Sequence, residues 1–367
     1  MRSLTFLLTI LMMLAAACAP RPALRVAASP AAAPVRVRDP IGVTSRLFID
    51  DTRDRKLATT IWYPAAAGSV QHEIEWDGIF IGHGAWNVPL RASPQHFPIV
   101  LLSHGSGADA SNLTWLAEPL AARGYVVVAV DHPGDRFGDS SQEGRFAAWR
   151  RPGDVRVALD RVLADPALGP RLDRTRIAAA GHSSGAYTVL ALAGARLNPR
   201  AYLAYCGGHG RGPDCKLFDD LDPKNIPDLT EAGRSGRDSR VRAVLALAPV
   251  LGPGIDAASL RRIRVPATIV ASPTDSVVPF KLNAARYQRF LPQSRIAKVP
   301  GDHFVFMPMC TFAGRVVAAQ VCVDGRGVDR QAIHDQVIAL ALAFFDRQLH
   351  VATPHATRGP SRVRPRH

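Results

Sequence analysis

The 367 residues include 45 Lys and Arg against 31 Asp and Glu, giving a formal charge of +14, with 47% hydrophobic residues and a mean hydropathy of +0.02. This balance suits one large globular domain and excludes a disordered chain or a polytopic membrane protein. The arginines are scattered without the interleaved aromatics that stack bases, so nucleic acid is not an expected partner; their excess in the flanks suits acidic lipid head groups.

Residues 1–17 join Arg2 to an apolar run from Leu4 to Leu14 and a small-residue end. That is the form of an export signal, too short to span a bilayer. Cys18 follows Ala15, Ala16 and Ala17 and resembles the lipidated first residue of a bacterial lipoprotein. Ala15 replaces the leucine usual three positions before such a cysteine, which leaves plain secretion as the alternative. Residues 18–40, rich in Ala, Pro and Arg, read as a solvated tether. The expected location is the bacterial cell envelope, with membrane association through a lipid anchor on Cys18. Export implies an oxidising compartment. The other cysteines fall into local pairs, so two disulfides, Cys206 with Cys215 and Cys310 with Cys322, are the economical reading. His209 between the first two leaves zinc as a rival, but no convincing fourth ligand stands nearby.

From residue 41 onward strand-like and helix-like segments alternate, which predicts an α/β fold with a mostly parallel sheet covered by helices. Residues 55–64 read as a strand paired antiparallel with 43–50. Residues 97–105 and 125–134 read as strands buried on both faces, separated by a helix at 111–123 that Gly124 ends. A helix follows at 154–164, with Asp154 as its first-turn acid, then a strand at 174–180 and a helix at 184–196. Strands at 241–249, 265–271 and 294–299 and an amphipathic helix at 330–348 complete the domain, 41–350, before a basic tail at 351–367. Residues 197–240 form an irregular insertion, read as a disulfide-held cap near the site.

Gly181-His182-Ser183-Ser184-Gly185 fits the G-x-S-x-G nucleophile elbow, and its position between a strand and a helix is the context that motif requires. A serine held on a sharp turn needs neighbours without bulk two residues away on each side. Ser183 is therefore the candidate nucleophile. A serine hydroxyl needs a base and the base an orienting acid, in the chain order Ser, acid, His. His303, just after the last strand, is the expected base, ahead of His209 in the insertion and His334 on the final helix. Asp275, after the strand at 265–271, is the expected acid, with Asp256 the runner-up; Asp302 reads as a loop-solvating charge. The backbone N–H of Ser184 and that of Ser106 are the expected oxyanion donors, with Gly107 the alternative to Ser106. His104 reads as a packing residue that shapes this loop. Trp115, Phe137, Trp149 and Phe304 are candidates for a pocket wall or for the core.

The segments "WYP" (62–64), "LLSHGSG" (101–107), "VVAVDHPG" (127–134), "RPGDV" (151–155), "AAAGHSSG" (178–185), Asp275 and "GDHFVF" (301–306) together resemble the α/β-hydrolases. Within them the chain is similar to the dienelactone-hydrolase group that includes platelet-activating-factor acetylhydrolase-like esterases. The resemblance covers roughly 41–348. It implies a cofactor-free triad of Ser183, Asp275 and His303 with Ser106 and Ser184 as the oxyanion hole, acting on small-molecule or lipid esters. Dienelactone hydrolases proper use a cysteine nucleophile; the serine here favours ester hydrolysis over lactone specificity. A phospholipid acylhydrolase is the alternative within enzymes, a peptidase a weaker one, and an inactive binding protein of the same fold the alternative outside them.

Overall fold

The computed structural model describes residues 39–208, 215 and 229–351. The export signal, Cys18, the tether up to residue 38, His209 and the tail from residue 352 lie outside the described residues.

Ten strands form one sheet: β1 (Ile41–Asp50), β2 (Arg55–Pro64), β3 (His72–Trp76), β4 (Phe80–Trp86), β5 (Phe97–Ser103), β6 (Val126–Val130), β9 (Leu172–His182), β10 (Val241–Leu247), β11 (Ala267–Ala271) and β12 (Ser294–Lys298). The short pair β7 (Asp135–Arg136) and β8 (Asp139–Ser140) stands apart as a two-stranded ribbon. The sheet order is β12-β11-β10-β9-β5-β6-β2-β1-β4-β3. From β12 to β6 every pairing is parallel, whereas β2 runs antiparallel to β6 and β1 antiparallel to β2.

The sequence of the central strands explains why they lie in the middle. In β5, Ile99 and Leu101 join the core on one face while Val100 and Leu102 join the core on the other. In β9, Ile177 and Ala179 face the first core, and Ala178 and Ala180 the second. A strand apolar on both faces can be satisfied only between two layers of helix. The helices at Arg151–Ala164 and Ser184–Ala193 supply buried residues to the first layer, and those at Thr114–Arg123 and Arg330–Gln348 to the second.

The predicted α/β architecture is the one observed. The hairpin β3–β4 and the helices at Ala257–Arg262, Ala284–Phe290 and Phe312–Val317 were not expected. The insertion is also less irregular than its composition suggests, because Pro199–Gly208 is helical. Both cysteine pairs form disulfides, Cys206–Cys215 and Cys310–Cys322. The first removes the two thiolates that a zinc site there would have needed.

Parallel order sets where a site can be built. Strands β5, β9, β10, β11 and β12 all end at the same edge of the sheet, so the loops after them converge. Four of those loops carry Ser106, Ser183, Asp275 and His303.

Candidate active site

Ser183 stands between the end of β9 and the helix Ser184–Ala193, with φ 55° and ψ −117°. An L-residue with positive φ outside glycine is strained, and such strain persists only where surrounding packing imposes it. The imposition is visible at both flanking glycines. A Cβ on Gly181 would lie 2.3 Å from the carbonyl oxygen of Gly185, and one on Gly185 would lie 1.8 Å from that of Ser103. No side chain fits at either place, which is the steric demand inferred from the motif. The Ser183 N–H donates to the Leu247 carbonyl at 2.9 Å, tying the corner to β10.

The three expected partners meet. His303 Nε2 is 3.1 Å from Ser183 Oγ, and His303 Nδ1 is 2.8 Å from Asp275 Oδ2. The other Asp275 oxygen accepts the N–H groups of Val277 at 3.0 Å and Val278 at 2.6 Å. Those amides fix the carboxylate, the carboxylate fixes the imidazole, and the remaining ring nitrogen faces the hydroxyl. Asp256 does not take part; it caps the helix at Ala257–Arg262 by accepting from the N–H of Ala258 and of Ser259.

The loop after β5 runs alongside. A Cβ on Gly105 would sit 3.3 Å from His182 Nδ1 and 3.5 Å from Ser183 Cβ, which places this loop directly beside the serine corner. Gly107, the alternative oxyanion donor, has its N–H engaged with Asp135 Oδ1 at 2.9 Å, and Ser106 Oγ donates to the same oxygen at 2.7 Å. Among the described residues, the backbone N–H groups of Ser106 and Ser184 donate to no protein acceptor. Ser184 is the first residue of a ten-residue helix, where amides are unpaired and the dipole favours negative charge.

Several supporting residues were invisible or misread in the sequence. Asp302, expected to be a solvated charge, accepts the Ser276 N–H at 2.7 Å and its hydroxyl at 2.6 Å, and so clips the His303 loop to the Asp275 loop. His334 is buried, its Nε2 2.9 Å from the Val305 carbonyl, and stacks on Trp115, whose Nε1 donates to the Phe306 carbonyl at 2.7 Å. Both grip the turn that carries His303. Trp115 and Trp149 therefore serve packing, whereas Phe137 is largely exposed. His104 Nε2 accepts the His132 N–H, which leaves Nδ1 as the donor to the Gly105 carbonyl at 2.7 Å. Burial, with Arg151 nearby, holds its pKa well below the usual histidine range. Asp154, read as a first-turn acid, is also completely buried against Arg53, Arg55 and His132.

The fold resembles that of a solved ferulic acid esterase from Streptomyces cinnamoneus, with a TM-score of 0.60 at 23% identity over 90% of this chain and 96% of that one. Two cutinases of Thermobifida alba, est2 and est1, are 28% and 27% identical over 130 residues, 35% of this chain. The match spans only about two fifths of their length, 40% and 41%. A family model described as the alpha/beta hydrolase family matches residues 99–320, from β5 through the His303 turn. With that match and a strained serine corner on a parallel sheet, the chain belongs to the alpha/beta hydrolase family.

Proposed function

We propose that the chain is a cofactor-free serine hydrolase of carboxylic esters, with short acyl groups preferred. The observation that carries this reading is the unbroken relay from Ser183 Oγ through His303 to Asp275. The cutinase relatives and the ferulic acid esterase, as named, are ester hydrolases and support the same class of reaction.

Ser183 Oγ bonds to the ester carbonyl carbon as its proton passes to His303 Nε2. The carbonyl electron pair moves onto oxygen, which lies between the N–H groups of Ser106 and Ser184. Collapse breaks the bond to the alkoxy group, which takes the proton from His303 and leaves as the alcohol. Water then repeats the sequence on the acyl-enzyme and releases the acid. Asp275 holds the imidazole in the tautomer with Nε2 free to accept and stabilises the cation that forms. The two amides need no reorganisation as charge develops, and each such donor contributes about 3–4 kcal/mol to transition-state stabilisation.

Measurement of p-nitrophenyl acetate hydrolysis by wild type and Ser183→Ala tests the assignment. Loss of turnover and of fluorophosphonate labelling in the variant is expected. Equal rates would dismiss Ser183, and a wild-type protein that takes no label would favour the non-catalytic binding role instead.

The finer grouping, with the dienelactone-hydrolase-like and platelet-activating-factor acetylhydrolase-like esterases, gives a second reading as a phospholipid acylhydrolase. It is favoured by the exposed apolar residues Phe312, Val316 and Val317 within the segment closed by Cys310–Cys322, and Val323 just beyond it. Turnover of micellar phospholipid analogues exceeding that of soluble esters would support it. Lipidation at Cys18, an envelope location and a cap at 197–240 belong to the same proposal. The disulfides suit an oxidising compartment, and no described helix is long and apolar enough to cross a membrane. Membrane retention of wild type, and its loss in Cys18→Ala after washing, would support the anchor.

A further inference from the structure

Behind the loop after β5 lies an ion pair with almost no access to solvent. Arg151 and Asp135 are each 1% exposed. Asp135 Oδ2 accepts Arg151 Nη2 at 2.8 Å and Nε at 3.2 Å. The same guanidinium donates through Nη1 to the His104 carbonyl at 2.6 Å and through Nη2 to the Gly105 carbonyl at 3.1 Å. The Gly105 oxygen also receives His104 Nδ1 at 2.7 Å. The other Asp135 oxygen holds Ser106 Oγ and the Gly107 N–H.

These contacts bear on one peptide plane. The carbonyl of Gly105 and the N–H of Ser106 belong to the same trans peptide and point in opposite directions. Three donors, the Arg151 guanidinium, His104 Nδ1 and the Ala108 N–H at 3.4 Å, fasten the carbonyl end, so the N–H end is aimed away from Arg151 without a protein acceptor. A carbonyl that accepts a charged donor also polarises its amide, which strengthens the N–H as a donor. Asp135 meanwhile occupies the Gly107 N–H and the Ser106 hydroxyl, so neither competes with the Ser106 amide, which has no protein acceptor among the described residues.

A buried ion pair is a poor means of adding stability, because desolvation offsets most of its attraction and an apolar pair often does as well. Its use here is directional. We propose that Arg151, held by Asp135, is a positioning residue for the oxyanion hole: it orients and polarises the Gly105–Ser106 peptide so that the Ser106 N–H faces the developing oxyanion. This rests on the ester-hydrolase reading above.

The test uses the full chain, with p-nitrophenyl acetate and its thiono analogue, whose sulfur is a poor match to an oxyanion hole. In Arg151→Met, kcat for the oxygen ester is expected to fall about tenfold to hundredfold with KM within about twofold, since removing one such donor outright costs about 10²–10³. The thiono ester is expected to lose much less, so the oxygen-to-sulfur rate ratio shrinks; Arg151→Lys recovers part of both. A merely structural role would lower the melting temperature and both rates in proportion, leaving the ratio unchanged, and that result would overturn the proposal. If Arg151→Met does not fold, Asp135→Asn keeps an acceptor for Ser106 and Gly107 while removing the countercharge that seats Arg151. The same shrinkage of the ratio is expected there, and an unchanged ratio counts against the proposal. Ser183→Ala separates the two levels. Full activity in that variant sinks the ester-hydrolase reading itself, whereas an inactive Ser183→Ala beside an unchanged Arg151→Met sinks only the role of Arg151.

Discussion

In the proposed reaction Asp275 acts without touching the substrate. It is held by two backbone amides, so Asp275→Asn preserves shape and hydrogen-bonding capacity. The amide can nonetheless stabilise the wrong imidazole tautomer, and it cannot offset the charge that appears on His303. A fall in kcat of about 10³–10⁴ is expected with little change in thermal midpoint, as steady-state kinetics and melting of the same preparation would show. Gly185 predicts the reverse. An alanine there would drive its Cβ into the Ser103 carbonyl, so the elbow must shift or the helix must part from β5. Gly185→Ala is expected to cost about 3 kcal/mol or more in denaturant titration and to remove activity with it.

At the scale of elements, the loops matter through what joins them. Asp302 caps the turn that begins at His303 and clips that turn to Ser276, one residue beyond the acid. Asp302→Ala is expected to lower stability by about 1 kcal/mol and to reduce kcat, as imidazole and carboxylate gain independent motion. The segment after His303 is fastened on its far side by Cys310–Cys322 and by backbone pairing of Ile79 and Ile81 with Thr311 and Met309. A disulfide spanning 12 residues restrains the unfolded chain by about 3 kcal/mol, so reduction is expected to lower the melting temperature by several degrees.

The elements whose pattern is local were legible in the sequence, and so was the candidate constellation, since a glycine-flanked serine between strand and helix is a short-range signal. Asp275 was legible as a candidate at the end of the apolar strand β11, and His303 because the order Ser, acid, His limits where a base can stand. The supporting shell was not. The partnership of Arg151 with Asp135, or of His334 with Trp115, depends on which helix lies over which loop, and no spacing encodes that. The hairpin β3–β4 escaped notice because "HEIEW" and "FIGHGAW" mix charge, glycine and aromatics without clean alternation.

Among the described residues, four buried histidines, His104, His132, His182 and His334, are held below the usual histidine range and shape the response to acid. Burial lowers His132 to about 4 and His334 to about 3, and carries His104 and His182 well below 6.5. Each stays neutral in the folded protein while its unfolded counterpart takes up a proton below about pH 6.5. The unfolded state therefore gains protons first, and stability falls as pH drops from about 6.5 toward 4. Asp109 and Asp131 act in the opposite sense, because burial raises them to about 7 and about 6, and so does His83, raised by its hydrogen bond to Glu118; in all three the folded state protonates first. Four groups against three leave a net loss on the acid side. Denaturant midpoints measured between pH 7 and 4 are expected to decline, and a flat or rising profile would contradict this balance. His132→Gln is expected to flatten the slope.

Ser183 and His303 lie 120 residues apart, with three further strands laid down between β9 and the histidine turn. If the proposed relay holds, Ser183 leaves the ribosome during synthesis long before the imidazole that would activate it. Hydrolytic competence would then arrive only with the last strand and its turn. Until that point a half-made chain would carry an inert alcohol, incapable of attacking the esters it meets.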